Sequence, residues 1–236
     1  MHNLDHRGVS GIIGGSVCAD VVQRHEAFGT TKQHRMDRIN LLKEQRYSEH
    51  LVSSRMPNLA LKNIQWGGQQ RWAEFHGPVI KAANTRHIMP FISHLANSVY
   101  TDSQRQWDKS VCKVCAMLCK LYHILYDGDM FFSSSELASM QECLLEFGVH
   151  FMVLRQLSES SSCLYFQVTP KVHQMQHFVM QSRLINSRFT QCYCNESMML
   201  RYVRIYKASC AGPYRDQICR TVLLKYLCGW SQDMNL

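Results

Sequence analysis

Four side chains that bind soft metal ions lie within 12 residues near the middle of the sequence: Cys112, Cys115, Cys119 and His123. Thiolates and imidazoles are the usual ligands of Zn²⁺, and a structural zinc site needs four of them around one point. On a continuous helix, this spacing places them in one stripe about 16 Å long, at a rise of 1.5 Å per residue. The stripe also continues the apolar positions of the segment. The spacing therefore predicts a core face that binds no metal.

A second set of metal ligands has a more favourable arrangement. His173 and His177 are four residues apart, so on a helix both imidazoles lie on one face and could hold one ion. Cys192 and Cys194 follow, and a loop could add their thiolates. This order of ligands matches no standard zinc module, and paired histidines also pack without metal. We predict no required cofactor, with Zn²⁺ at these four residues as the alternative.

The positive charge of the chain is concentrated towards its C-terminal end. The net charge is +8, and residues 181–236 contain eight Lys or Arg against three Asp or Glu. The candidate nucleic-acid-binding residues on two predicted helices there are Arg201, Arg204, Lys207, Arg215 and Arg220. Lysine and arginine neutralise phosphates, and interleaved tyrosines can stack on bases, although these tyrosines also fit a core-facing stripe. The alternative interpretation is a solvated basic surface without a ligand.

Recognisable catalytic patterns are absent from the sequence, which contains no G-x-S-x-G, no H-E-x-x-H and no dinucleotide-binding fingerprint. The N-terminal glycines Gly8, Gly11, Gly14 and Gly15 lack the Lys-Ser/Thr ending of a phosphate-binding loop. Glu196 is the one weak catalytic candidate, because it follows a Cys-Tyr-Cys run and precedes a basic helix. A carboxylate in this place ordinarily interacts favourably with the positive end of the helix dipole at the helix N-terminus. No complete catalytic site is found, which favours a protein that is not an enzyme.

The elements that must position these residues are predicted to be helices. The clearest are two long segments, 103–126 and 134–157, and Ser133 and Glu136 have the spacing of a capping box that opens the second. Because about seven residues connect them, the two helices are expected to pack antiparallel. The faces predicted to meet are Val111, Cys115, Leu118, Tyr122 and Leu125 on one helix, and Leu137, Met140, Leu144, Phe147 and Phe151 on the other. We predict an all-α fold, an irregular multi-helix bundle with this long antiparallel pair at its centre.

Further helices are predicted on both sides of this pair. They span residues 31–54, 76–100 in one or two pieces, 169–184, 195–209 and 214–229. Thr169 and Pro170 supply an N-cap and a proline at the first helical position. The predicted organisation is a poorly patterned N-terminal region with one polar helix, residues 1–60, followed by a helical globular domain, residues 61–236.

Composition limits the class of protein and its compartment. Of the 236 residues, 46% are hydrophobic and 19% are charged, so the chain can bury a sizeable core. The 11 cysteines are an odd number, and no secretory signal pattern is found, which favours reduced thiols in an intracellular setting, nuclear or cytoplasmic. No apolar stretch approaches the roughly 20 residues that cross a bilayer, so no membrane segment is expected.

Three pieces of the sequence carry a resemblance to a known group of proteins. They are GPVIKAANTRHIMPFISHLA, FQVTPKVHQMQHF and INSRFTQCYCNESMMLRYVRIYKAS. With them, the stretch from His76 to Trp230, about two thirds of the chain, resembles repeated uncharacterised proteins of dinoflagellate-type genomes. More loosely, the order of Pro170, Lys171, His173, His177 and Glu196 is similar to the C-terminal part of CACTA-type transposases.

This resemblance implies descent from a mobile element. Catalysis in that family uses a ribonuclease-H-like core, in which several acidic residues hold divalent metal ions. The present sequence shows no alternating strand pattern for such a core and offers no partner aspartates for Glu196. The resemblance therefore implies association with nucleic acid more than it implies catalysis.

Two classes of function follow from these observations. The leading prediction is a mobile-element-derived helical module that contacts nucleic acid phosphates through its basic C-terminal half, without complete catalytic machinery. The alternative is a helical protein-interaction or scaffold domain with no nucleic-acid role. Salt separates the two, because phosphate binding weakens steeply as the salt concentration rises, whereas a largely apolar protein interface does not.

Overall fold

The structure is a computed structural model that describes residues 8–49, 58–66, 72–76, 82–161 and 164–186. Within these ranges the chain forms helices α1 (Val9–Arg24), α2 (Lys32–Glu49), α3 (Ala82–Tyr100), α4 (Gln106–Asp127), α5 (Ser134–Glu159) and α6 (Pro170–Gln181). Two short strands, β1 (Ile64–Gln65) and β2 (Glu74–Phe75), pair antiparallel, with Ile64 opposite Phe75. The predicted all-α class is confirmed. Buried residues from Val9 to Val179 form one hydrophobic core.

The long helix pair predicted at the centre is α4 and α5, the two helices that pack most extensively against each other. Lys113 of α4 pairs with Glu146 of α5, and Lys120 pairs with Glu142. Residue numbers therefore rise along one helix as they fall along the other, and the pair is antiparallel. Leu118, at the centre of the predicted interface, is buried. Most other predicted interface residues are buried as well, whereas Leu137 and Leu144 are half-buried.

The start of α5 carries the predicted capping box. The Ser133 hydroxyl accepts a hydrogen bond from the Glu136 backbone N–H at 3.2 Å, and the Glu136 carboxylate accepts one from the Ser133 N–H at 2.7 Å. The hydrogen bonds from the Ser133 side chain and backbone hold the pKa of Glu136 below its usual value. These bonds satisfy backbone donors that have no partner inside the helix.

Replacement of Ser133 by Ala is expected to lower the free energy of unfolding by about 1 kcal/mol, because a first-turn N–H loses its acceptor. Chemical denaturation measures the change. Ser134→Ala, one position later in the same exposed turn, serves as the control and should change stability by only a few tenths of a kcal/mol, since a surface substitution outside the cap has little effect. Equal losses in both variants would contradict a specific capping role.

Helix α1 differs from the sequence-based expectation. The sequence predicts one polar helix in an otherwise poorly patterned region 1–60, whereas Val9–Arg24 forms an additional helix and every residue from Val9 to Val22 is buried. A helix that is buried on all sides shows no apolar stripe, so its periodicity cannot be detected. Its buried hydroxyls have partners inside the core: Ser10 bonds the Tyr122 hydroxyl at 2.7 Å, and Ser16 accepts from the Phe166 N–H at 3.0 Å.

Helix α2, the polar helix predicted for the N-terminal region, is anchored to the end of α1. The buried Arg35 guanidinium donates to the Gly29, Val22 and Gln23 carbonyls at 2.6, 2.9 and 3.1 Å. Carbonyls at a helix C-terminus have no donor within the helix, and a cation there also opposes the negative end of the helix dipole. A charged residue thus fixes α2, whose sparse apolar residues gave no indication of this contact.

The stretch IQWGGQQRW, residues 64–72, predicts a turn between two short elements; β1 forms its first two residues, and β2 begins two residues after its end. The adjoining Trp72 ring packs under the Arg155 guanidinium of α5 at 3.9 Å. This cation–π contact links the strands to the central helix pair. Trp72 therefore anchors the residues beside β2 to α5.

Two further predictions concern helix ends. α3 is a single helix that contains Pro90, and α6 begins with Pro170 as its first residue, as predicted. The buried Asn186 amide donates to Leu125 O in the last turn of α4 at 2.9 Å and to Asp129 O in the following connection at 3.0 Å. The predicted helices over 195–209 and 214–229 lie outside the described residues.

Helix α5 is relevant to the prediction that the chain contains no membrane-spanning segment. Among the residues that the structure describes, it is the one helix long and apolar enough to cross a bilayer by length and composition. Core helices of globular proteins can meet the same criterion. The buried Phe147, Phe151 and Leu154 of α5 pack into the shared core. The expectation of no membrane segment stays a prediction.

Candidate functional site

A cleft of about 500 Å³ opens between the end of α3, the middle of α4 and the adjoining part of α5. The residues that line it are Asn97, Tyr100 and Thr101 of α3 and the following turn, Lys109, Cys112, Lys113, Ala116 and Met117 of α4, and His150 of α5. Most of the lining surface is apolar. A concave apolar surface with a few polar groups at its edge is the usual form of a ligand site.

Basic side chains lie along the side of α4 that contributes to this cleft. Lys109 and Lys113 are four residues apart on α4, so they share one helix face, and both line the cleft. The Lys109 ammonium donates to the uncharged Gln104 amide oxygen at 2.8 Å, and Lys113 lies 3.7 Å from Glu146. Exposed ion pairs of this kind contribute little stability. Both lysines can therefore turn towards an anionic group at the cleft.

The thiol and imidazole at the cleft do not form an activated nucleophile. The Cys112 thiol donates to the Ala96 carbonyl at 3.5 Å, and burial, with the nearby charge of Asp108, raises its pKa. The thiol is thus protonated at neutral pH, whereas nucleophilic cysteines are thiolates. His150 Nδ1 is hydrogen-bonded to the Ser110 hydroxyl at 3.1 Å. Neither side chain is therefore activated as a nucleophile by the other.

The cysteine stripe of α4 forms a core face only in part, because Cys112 and Cys119 are half-buried and His123 lies in solvent. Cys115 is fully buried, and burial holds its pKa well above the ordinary value. Cys119 is half-buried, while His123 is exposed, with its Nδ1 3.4 Å from an Asp127 carboxylate oxygen. Within the described ranges, no group of three or more His, Cys, Asp or Glu is placed to hold a metal ion. The five cysteines described there are free thiols.

The structure brings His173 and His177 together on the exposed side of α6. Their Nε2 atoms are 3.0 Å apart, and the ring centroids are separated by 4.7 Å, with the rings nearly perpendicular. The prediction that both imidazoles lie on one helix face is confirmed. Cys192 and Cys194, the other two candidate ligands, lie outside the described residues.

A buried carboxylate, Asp20, lies beside the cleft, and the sequence analysis did not identify it as a site residue. Asp20 of α1 is 1% exposed and forms an ion pair with Arg24 Nε at 2.5 Å. It also accepts a hydrogen bond from the hydroxyl of Tyr100, a cleft residue, at 2.5 Å. Burial acts to raise the pKa of Asp20, but hydrogen bonds from His25, Arg24 and Tyr100 and the charge of Arg24 outweigh it, and the pKa lies below its usual value.

The Arg24 guanidinium lies over the Trp107 ring at 5.1 Å, so the same cluster joins α1 to α4. The spacing of Asp20 and Arg24, four residues apart, was a signal that could have indicated the ion pair. Nothing local could have identified Tyr100, which is 80 residues away along the chain.

The remaining predicted site residues lie outside the part of the chain that the structure describes: Glu196, Arg201, Arg204, Lys207, Arg215 and Arg220. Comparison with protein-family models, curated proteins and solved structures finds no match. The class that the fold and site define is an all-α, cysteine-rich protein with a basic-edged cleft and an exposed histidine pair.

Proposed function

We propose that the protein is a mobile-element-derived helical module that associates with nucleic acid through its phosphates and lacks complete catalytic machinery. The observation that carries the proposal is the charge distribution. Residues 181–236 hold eight Lys or Arg against three Asp or Glu. A concentrated positive charge attracts polyanions, and released counterions supply much of the binding free energy.

The basic face of α4 supports the same proposal within the described part of the chain. Lys109 and Lys113 are exposed, and the 3.7 Å contact between Lys113 and Glu146 is an exposed pair that a phosphate can replace. Phosphates accept charge-assisted hydrogen bonds from such side chains. The cleft beside them supplies apolar surface but no activated nucleophile, in accordance with a binding role.

Binding through phosphates sets the character of the association. The basic residues of the C-terminal half are dispersed over two predicted helices, whereas residues that read base edges are concentrated at one face entering a groove. Phosphate contacts position a protein without conveying sequence. We therefore expect weak affinity that depends little on sequence and strongly on salt.

Simultaneous replacement of Arg201 and Arg204 by Ala is expected to weaken binding to two unrelated duplexes about equally. The slope of log affinity against log salt concentration should fall by roughly one unit for each phosphate that is no longer neutralised. Fluorescence anisotropy at two salt concentrations measures both quantities. The matched control removes the same charge elsewhere: Arg38 and Lys62 are exposed on the described surface, and Arg38→Ala/Lys62→Ala should change the slope less.

A third variant, Lys109→Ala/Lys113→Ala, tests the contribution of the α4 face in the same assay. Absence of binding at low salt, or equal binding by wild type and the Arg201/Arg204 variant, would contradict the proposal.

Replacement of Glu196 tests separately whether the protein cleaves nucleic acid. As a metal-holding carboxylate, Glu196 would make strand cleavage depend on divalent ions, whereas as a helix-start residue its replacement by Gln should cost only about 0.3–1 kcal/mol of stability.

A protein-interaction domain is the second candidate, favoured by an apolar stripe on the outer side of α5. Leu145, Val149 and Met152 recur at helical spacing and are 71%, 57% and 49% exposed. Contiguous exposed apolar side chains often mark interaction sites. Association through this stripe would persist at high salt, so the salt titration above also separates the two candidates.

A further inference from the structure

The geometry of α6 points to a second site: we propose that His173 and His177 bind one divalent first-row transition-metal ion between their Nε2 atoms. This site is separate from the phosphate-binding proposal and does not depend on it. No residue of α6 lines the cleft.

The separation of the two nitrogens matches the requirement of a shared ion. Each imidazole nitrogen lies about 2.0–2.1 Å from a bound zinc ion. Two such ligands at a right angle are therefore about 2.9 Å apart, and two at a tetrahedral angle about 3.3 Å apart. The observed Nε2–Nε2 distance of 3.0 Å lies in this interval. The proposal requires the two side chains to rotate so that both Nε2 lone pairs point at one ion, since in the structure the rings are nearly perpendicular.

The helix holds the pair at this spacing. Met175 and Val179, on the opposite side of α6, are buried in the shared core, and Pro170 begins the helix at a position that suits proline. The histidines are exposed on the other side, so an ion can reach them from solvent. Ligands carried by a packed helix keep their geometry better than ligands on a loop.

The ligand set defines the class of ion. Neutral imidazoles suit Zn²⁺, Ni²⁺ and Cu²⁺, whereas Mg²⁺ and Ca²⁺ prefer oxygen ligands. Two protein nitrogens leave the remaining positions to water, because no third His, Cys, Asp or Glu is grouped with the pair among the described residues. We expect an exchangeable site of moderate affinity. Without an ion, one Nε2 must carry a proton and donate it to the other.

Titration of the full-length chain with Ni²⁺ alone, followed by calorimetry, tests the proposal. Ni²⁺ avoids the thiol oxidation that Cu²⁺ would cause in a chain with 11 cysteines. Wild type should bind one ion at the pair, and His173→Gln or His177→Gln should each raise its dissociation constant at least about tenfold, equivalent to about 1.4 kcal/mol. His34→Gln is the matched control, since His34 is also exposed on a helix, and should leave the constant unchanged.

Two further measurements make the outcome decisive. Paramagnetic Ni²⁺ should broaden the ring resonances of His173 and His177 before those of other histidines. Cys192→Ser/Cys194→Ser should retain the binding if the two histidines suffice. Equal Ni²⁺ affinity in wild type and both histidine variants would overturn the proposal. Loss of binding in the cysteine variant alone, with the histidine variants unaffected, would overturn it as well.

Discussion

Replacement of Asp20 by Ala is expected to lower the free energy of unfolding by about 3 kcal/mol, at the lower end of the range for breaking a buried ion pair. The carboxylate is 1% exposed, whereas the Arg24 side chain is 46% exposed, so solvent partly compensates the cation when its partner is removed. The Tyr100 hydroxyl, buried beside the carboxylate, loses its acceptor at the same time. Urea denaturation of both proteins measures the difference.

Two companion variants separate the contributions. Asp20→Asn keeps the shape but removes the charge, and Tyr100→Phe removes only the hydrogen bond from the hydroxyl. Hydrogen bonds to charged groups contribute about 1.5–3 kcal/mol, so the loss in Tyr100→Phe should be the smaller one. A loss below about 1 kcal/mol in Asp20→Ala would mean that the cluster is not a structural anchor.

The pKa of Asp20 also predicts how stability depends on pH. Because the folded-state pKa lies below the usual value, the unfolded chain takes up a proton at a higher pH than the folded chain. The contribution of Asp20 is therefore fully present above the ordinary Asp pKa of about 3.9 and is lost as the pH falls through the folded-state value. Between neutral pH and the acid range, the free energy of unfolding should therefore fall less in Asp20→Asn than in wild type.

Replacement of Gly15 by Ala is expected to destabilise the protein by about 3 kcal/mol or more, the upper end for overpacking a core. A Cβ atom at Gly15 would lie closer than 3.0 Å to backbone atoms of Glu74 and Phe75 in β2. Backbone cannot move aside by changing a rotamer, so α1 and β2 would have to separate. Thermal or urea unfolding measures the effect.

Gly11→Ala is the control for this substitution, because a Cβ there would have no neighbouring atom within 4 Å. Both glycines lie within the same buried helix, so both substitutions gain up to about 1 kcal/mol from the helix propensity of alanine. Gly11→Ala should therefore stabilise the protein slightly while Gly15→Ala destabilises it. A change of the same sign and size in both variants would show that close approach of β2 does not decide the role of Gly15.

Local sequence determined the central elements of this protein. The antiparallel pair α4 and α5 follows from two helical segments with a short connection, and Ser133 and Glu136 mark the start of α5 because a capping box needs only residues three positions apart. The histidine pair of α6 follows in the same way from a spacing of four residues. Each of these features depends on neighbours within one or two helical turns, so the sequence alone contains the information.

Tertiary structure decided the features that join distant parts of the chain. Helix α1 is buried on all sides, which removes the periodicity that would have identified it, and its Gly15 is explained only by the approach of β2. Asp20 reaches Tyr100 across 80 residues, and the cleft exists only where α3, α4 and α5 meet. These arrangements depend on how the helices pack. Packing is determined jointly by side-chain volumes and by the separation of the backbones, and the spacing of residues along the sequence does not encode it.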